Sequence, residues 1–170
     1  VGDMVKTGQQ IAEPSGFVSL AQHASISGKV SAIGLFPHPC GTLSQAIEIT
    51  GDGEDKWIEL VDEADYLSLP VEEMKNRISA AGICGMGGAG FPTHVKLSPP
   101  ADKPIDTVIL NGVECEPYLT SDYRLMLEKG AEIVAGLKLI MKITAAKKGV
   151  IGIEANKPEA IANMEKLLKG

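Results

Sequence analysis

Between Ala81 and Thr93 the chain reads Ala-Gly-Ile-Cys-Gly-Met-Gly-Gly-Ala-Gly-Phe-Pro-Thr, with five glycines in the nine positions from Gly82 to Gly90. Such a density raises the entropy lost on folding and needs a compensating reason. Glycine leaves backbone N–H groups unshielded by any Cβ, and successive amides can form a concave nest for an anion. The loop is therefore predicted to cradle a phosphate. Gly85 to Gly90 also spell G-x-G-x-x-G, but that pattern means dinucleotide binding only where a strand precedes it and a helix follows. Here a helix precedes it: Pro70 opens it, Glu72 and Glu73 fill its first turn, Met74, Ile78 and Ala81 recur on one face, and Gly82 ends it. The letters alone fit a plain turn as well as a binding loop.

The surroundings narrow that choice. Lys96 brings a point charge near the loop, and Phe91 offers a flat apolar face on which a ring can stack. Downstream the pattern alternates: a buried strand over Thr107–Leu110, a helix over Ala131–Ile143, a strand over Gly149–Ile153 and a helix over Pro158–Leu168. Ile133, Val134, Leu137, Ile140 and Met141 keep the spacing of a core-facing helix. Strand, helix, strand, helix predicts a βαβ unit with parallel pairing, and in open parallel sheets ligands gather beyond the carboxyl ends of the strands. Asn111, Glu114, Cys115, Glu116, Pro117 and Tyr118 stand just beyond the first of those strands. The amide of Asn111 can both donate to and accept from a heterocycle edge, and carboxylates accept from ribose hydroxyls. Glu114 and Glu116 are equally readable as solvated loop acids.

The first third differs in kind. Short β-like pieces, Phe17–Leu20, Gly28–Val30 and Ala46–Ile49, are punctuated by Gly, Pro and Asp, which predicts a small all-β domain over residues 1–58. The acidic connection Glu59–Asp65 then leads into an α/β domain over residues 59–170. With 170 residues, 44% of them hydrophobic, the chain can bury a core in each. A net charge of -6 without a basic stripe excludes a nucleic-acid partner. Glu132, Lys138 and Lys142 interrupt the longest apolar stretch, Ala131–Ala146, so no segment offers the roughly 20 apolar residues of a membrane span. The opening at Val1, without an initiator Met or a signal region, predicts a trimmed sequence with either end incomplete. Cys40, Cys84 and Cys115 are odd in number and far apart, so they are expected to be reduced, buried thiols, and no metal is assigned. His23 and His38 are expected at the surface.

Two motifs together carry a resemblance. Gly82 to Lys96, Asn111 to Pro117 and the interval between them resemble the flavoprotein subunit of respiratory complex I. The stretch Val1–Gln9 with Ser27–Val30 resembles the sandwich-hybrid fold of biotinyl and lipoyl carrier domains. No Lys stands in Ala12–Phe17, where a carrier would hold its cofactor, so the domain is read as structural or interaction surface. That domain directly before a flavin loop narrows the resemblance to the RnfC family, a component of the Rnf ion-translocating electron-transport complex, over essentially the whole chain. The resemblance implies a Rossmann-like FMN- and NADH-binding domain behind a sandwich-hybrid domain, other Rnf-complex subunits as partners, and a peripheral place on the cytoplasmic face of the cell membrane without direct insertion.

Carried over residue by residue, Gly85, Gly87, Gly88, Ala89 and Gly90 line the phosphate and flavin, and Phe91 stacks on NADH. Lys96 contacts flavin or nucleotide, Asn111 binds the flavin, Glu114 lies beside it and Glu116 faces the incoming dinucleotide. Asn156, in Glu154–Lys157, belongs to a further cofactor-contacting turn. Met86 and Val113 stand where complex I flavoproteins commonly carry Arg and Asp. RnfC also carries iron-sulfur cluster motifs, whereas C-x-x-C-x-x-C spacing occurs nowhere in this sequence. The implied activity is NADH-dependent flavin reduction that feeds clusters outside this chain. The alternatives are a docking module with a degenerate flavin site and a soluble corrinoid reductase related to RnfC.

Overall fold

A computed structural model describes residues 1–61 and 65–169, so part of the acidic connection Glu59–Asp65 lies outside the described residues. The chain divides into two compact units, the described residues of Val1–Ala64 with Asn76–Thr93, and those of Asp65–Lys75 with His94–Gly170. The glycine-rich loop thus clusters with the β-strand part of the chain.

In the first unit β1 (Met4–Val5), β4 (Gly28–Pro37) and β5 (Leu43–Gly51) form an antiparallel sheet in the order β1-β4-β5, while β2 (Gln10–Ala12) pairs with β3 (Gln22–His23). Side chains alternate along the long strands, so Val30, Ile47 and Ile49 meet Val5, Ala24 and Ile11 in one apolar cluster. Polar groups close the domain below it. Thr7 Oγ1 donates to Asp55 at 2.8 Å, Ser27 Oγ donates to Asp52 at 2.7 Å, and the Lys56 N–H donates to Ser27 Oγ at 2.9 Å. Buried hydroxyls are stable only when bonded in this way.

Two segments depart from the sequence-based expectation. Phe17–Leu20 forms no strand: a bend runs through Phe17 and Val18, where Ser15 N–H donates to Ser19 Oγ at 3.0 Å and this local bonding displaces a ladder. Its Phe17 and Val18 are mostly exposed. His23 is half-buried within a strand; His38 is exposed at the tip of the β4–β5 hairpin, where Nδ1 accepts from Cys40 N–H at 3.2 Å.

Helix α1 (Val71–Ala80) ends as its sequence requires. Gly82 adopts φ +68°, the left-handed conformation that glycine enters without strain. Ile83 N–H bonds Ile78 O at 3.2 Å and Gly82 N–H bonds Ser79 O at 3.0 Å, the paired C-terminal cap.

A one-turn helix α2 (Thr93–Lys96) leads into the second unit, which holds β6 (Thr107–Gly112), α3 (Ser121–Glu128), α4 (Gly130–Thr144), β7 (Lys148–Ile153) and α5 (Pro158–Leu168). β6 and β7 pair in parallel from Thr107↔Lys148 to Gly112↔Ile153, so the turns after Gly112 and Ile153 emerge side by side. Among the described residues this parallel sheet has two strands. Helices α2 and α3 are additions to the sequence-based reading. Met126 of α3, Val134 of α4, and Ala160 and Met164 of α5 form the core, flanked by Ile151 and Ile153 of β7. Burying a side chain the size of Met164 contributes on the order of 2 kcal/mol.

Candidate functional site

The glycine loop is a closed structure with an open tip. Gly85 N–H donates to Phe91 O at 2.9 Å, Thr93 N–H donates to Ile83 O at 3.0 Å, and Cys84 and Pro92 form an antiparallel bridge between them. At the base, Gly82 packs so closely that a Cβ there would lie 2.9 Å from Ala21 O and 3.1 Å from His23 Nδ1. Glycine at 82 is thus dictated by the fold. Gly90, at φ +63°, is dictated by its turn.

Gly87 and Gly88 are different. Neither has a left-handed φ, and a Cβ built on either would meet nothing within 4 Å. The protein's own fold would accept a side chain at both positions. Both residues are exposed and stand without Cβ cover on a turn whose base is fixed, which is what close approach of a phosphate requires. These residues fit a phosphorylated cofactor such as FMN. Met86 and Ala89, on the same turn, are exposed, Met86 at 93%. Phe91 is 40% exposed.

The second unit gathers its candidates beyond β6 and β7. A cleft of about 250 Å³ is lined by Glu114, Glu116, Tyr118, Glu154, Asn156 and Lys157 among others. That is below the roughly 300 to 1,000 Å³ of pockets that enclose a whole small molecule, so the cleft holds part of one. Asn111 lies at the end of β6, where its Oδ1 accepts from Val113 N–H at 3.1 Å and turns the chain. It also lines a neighbouring apolar cavity with Leu110, Met126 and Ile151. Lys96 is exposed at the last position of α2.

Glu114 and Glu116 have separate fates. The side chain of Glu114 is 2% exposed, and its oxygens accept from Asp122 N–H at 2.8 Å and Tyr123 N–H at 3.3 Å. Thr120, the residue before α3, makes no side-chain cap, so Glu114 satisfies these first-turn donors from six positions upstream of it. A carboxylate there is also favoured by the helix dipole. Lys157 Nζ stands 4.0 Å away, and its ammonium lies 5.1 Å from the centroid of the Tyr123 ring. The Tyr123 hydroxyl donates to Glu159, and this bond to a carboxylate holds the phenol above its ordinary pKa. Glu116 and Asn156, by contrast, are exposed on the cleft.

The thiols also differ from expectation. All are free, but Cys40 and Cys115 are exposed and only Cys84 is half-buried, because the first two stand in irregular segments between elements, outside any strand or helix that packs on a core. Among the described residues no group of three or more His, Cys, Asp or Glu side chains could hold a metal ion. Sequence reasoning did not single out Tyr123, and it placed Lys157 only within the turn Glu154–Lys157. The signal for Lys157 lay in Lys157-Pro158-Glu159, which opens a helix and sets a cation and an acid at its start.

Two families of known proteins match the chain. A family described as the Nuo51 FMN-binding domain matches residues 78–170, and one described as the RnfC barrel sandwich hybrid domain matches residues 1–54. The C component of the proton-translocating ferredoxin:NAD(+) oxidoreductase complex of Clostridium ljungdahlii is 54% identical over 170 residues, covering 99% of this chain and 37% of that protein. The Na(+)-translocating counterpart of Acetobacterium woodii is 46% identical over 168 residues, 98% of this chain and 38% of that protein. The C component of the ion-translocating oxidoreductase complex of Pseudomonas aeruginosa is 46% identical over 165 residues, 95% of this chain and 21% of that protein. The chain therefore spans between about a fifth and two fifths of the length of these relatives.

Proposed function

The chain belongs to the Nuo51 FMN-binding domain family, in the two-part arrangement of the RnfC component of ion-translocating oxidoreductase complexes, and from that premise we propose that it binds FMN and NAD(H) at the electron entrance of such a complex. The carrying observation is the tip of the glycine loop, where Gly87 and Gly88 have no steric reason within the fold to be glycine. When bound, FMN would supply the redox chemistry that links hydride exchange with NAD(H) to single-electron exchange with iron-sulfur clusters held elsewhere in the full-length protein.

The chain's own residues position and select. Backbone amides of Gly85, Gly87, Gly88, Ala89 and Gly90 bind the flavin phosphate, Lys96 adds a cation, and Phe91 stacks against the nucleotide. Asn111 binds the flavin edge at the end of β6. Glu114 shapes the flavin side of the turn by tying it to α3. Glu116 and Asn156 face the dinucleotide, whose ribose hydroxyls are donors that a carboxylate accepts. In chain order the site falls in a Rossmann-like domain over 59–170, which follows the sandwich-hybrid domain over 1–58. Other Rnf-complex subunits are the partners, and the protein sits peripherally on the cytoplasmic face of the membrane; no helix among the described residues is long and apolar enough to cross one.

The test is flavin retention followed by reduction. The full-length protein, mixed with FMN and desalted, is expected to stay yellow, and NADH added without oxygen is expected to bleach it. Colourless protein after desalting would sink the flavin site and favour a docking role. Glu116→Gln is expected to weaken NADH binding about tenfold while leaving FMN retention unchanged, the loss that follows from weakening one charged hydrogen bond. Equal loss of both ligands would refute the division of roles.

A further inference from the structure

Tyr118 is a residue whose presence neither its backbone nor its packing explains. It sits in the turn closed by Leu119 N–H to Glu116 O at 3.2 Å, with φ +65°. In that left-handed conformation an L side chain costs roughly 1 to 2 kcal/mol that glycine avoids. A large aromatic usually offsets such a cost by burial, which removes its surface from water. Here the side chain gains nothing of the kind, since Tyr118 is 102% exposed. Strain retained without burial, at the rim of a cleft, is the pattern of a position held for a ligand.

The cleft supplies the rest of the chemistry. Tyr118 shares it with the exposed Glu116 and Asn156, and with Lys157, whose ammonium is already placed between the Glu114 carboxylate and the Tyr123 ring. The rim thus combines a free aromatic face, a hydrogen-bond acceptor and an amide, the set that holds a planar heterocycle with a polar edge. The volume of about 250 Å³ suits one ring system and not a whole dinucleotide.

We infer that Tyr118 is the stacking platform for a planar heterocycle of the dinucleotide, its adenine or its nicotinamide, and so a specificity-determining residue of this site. The inference rests on the reading that the cleft receives NAD(H). The left-handed turn lifts the ring out of the protein surface, and the heterocycle lies against its face. Both faces of that contact are apolar and flat, and stacking of this type tolerates loss of the phenol hydroxyl but not loss of the ring.

The experiment uses the full-length protein loaded with FMN, with NADH, AMP and nicotinamide mononucleotide as separate probes in equilibrium binding. Tyr118→Phe is expected to bind NADH as the unaltered protein does. Tyr118→Leu, which keeps apolar bulk without a π face, and Tyr118→Gly are each expected to weaken NADH about tenfold or more, the range of one base-aromatic stack. Flavin retention is expected to be unchanged in all three. Tyr118→Gly should also melt at or above the temperature of the unaltered protein, because glycine relieves the turn; this shows that its binding loss is not unfolding. Whichever of AMP or nicotinamide mononucleotide weakens in parallel identifies the stacked ring. NADH binding that is the same in Tyr118→Leu and Tyr118→Gly as in the unaltered protein would overturn the inference while leaving the functional reading intact. Absence of NADH binding in the unaltered, flavin-loaded protein would overturn both.

Discussion

The glycine loop and the acidic turn after β6 look alike in sequence, each a short run of residues suited to a ligand, but the fold treats them in opposite ways. At Gly87 and Gly88 it leaves open space, asking nothing of either residue. At Glu114 it leaves none, since both carboxylate oxygens are taken up by the first turn of α3. A residue's identity can thus be set from inside, by the element that needs it, or from outside, by whatever binds. The first kind should be costly to folding when changed, and the second nearly free.

Glu114→Ala gives the largest effect if that distinction is right. It strips two backbone donors of a charged acceptor and leaves Lys157 beside an emptied pocket, a loss of about 3 kcal/mol in folding free energy by denaturant titration. Glu114→Gln, which keeps one acceptor oxygen, should lose less. A change below about 0.5 kcal/mol for the alanine variant would mean that α3 holds without its cap, and the contrast between the regions would collapse.

Gly88→Val lies at the other pole. Its backbone is not left-handed and its surroundings are empty, so folding stability is expected to stay within about 0.5 kcal/mol. Flavin affinity should fall at least about a hundredfold, because the branched side chain takes the space the phosphate needs. Retained flavin in a folded Gly88→Val protein would show that the loop tip is only a connector. Together the two variants separate a residue that builds the site from one that yields room to its ligand.

How much of this could be read before the fold was known follows the same line. Helix α5 falls on the same residues that the sequence marks, because Pro158 starts it locally and its apolar period runs unbroken to Leu168. The strands β6 and β7 and the end of α1 at Gly82 are legible for similar reasons. Helix α3 is less so: Thr120, Ser121 and Asp122 are residue types that open helices, but the side chain that caps it is Glu114, from outside the segment. The split between Glu114 and Glu116 is not legible. Two acids two positions apart are equivalent in a sequence, and only the position of α3 buries the first and leaves the second on the cleft. The glycine loop is legible as unusual, but which glycines answer to the fold and which do not depends on the Ala21–His23 ledge beneath Gly82.

The smallest effect tests whether the acidic turn is held together beyond Glu114. Tyr123 donates its hydroxyl to Glu159, and that bond, with smaller contributions from desolvation and from the charge of Glu159, raises the phenol pKa in the folded protein. A group whose folded pKa lies above its unfolded value stabilises fully below the unfolded pKa and loses that contribution as pH rises through the folded one. The expected window therefore opens near the ordinary tyrosine value of 10.0 and extends above it. Tyr123→Phe should remove one late-titrating tyrosinate from the near-ultraviolet absorbance and flatten the fall in stability over that window. At neutral pH it should cost little, because the pair is solvent-exposed and an exposed hydrogen bond competes with water. A Tyr123→Phe protein with the same alkaline profile as its parent would mean that Glu159 does not hold the phenol in solution. The link between α3 and α5 would then rest on the packing of Met126, Ala160 and Met164 and on the bond that Asn163 Nδ2 donates to Met126 O at 2.7 Å, and the polar edge of the cleft would be arranged by Glu114 without help from Glu159.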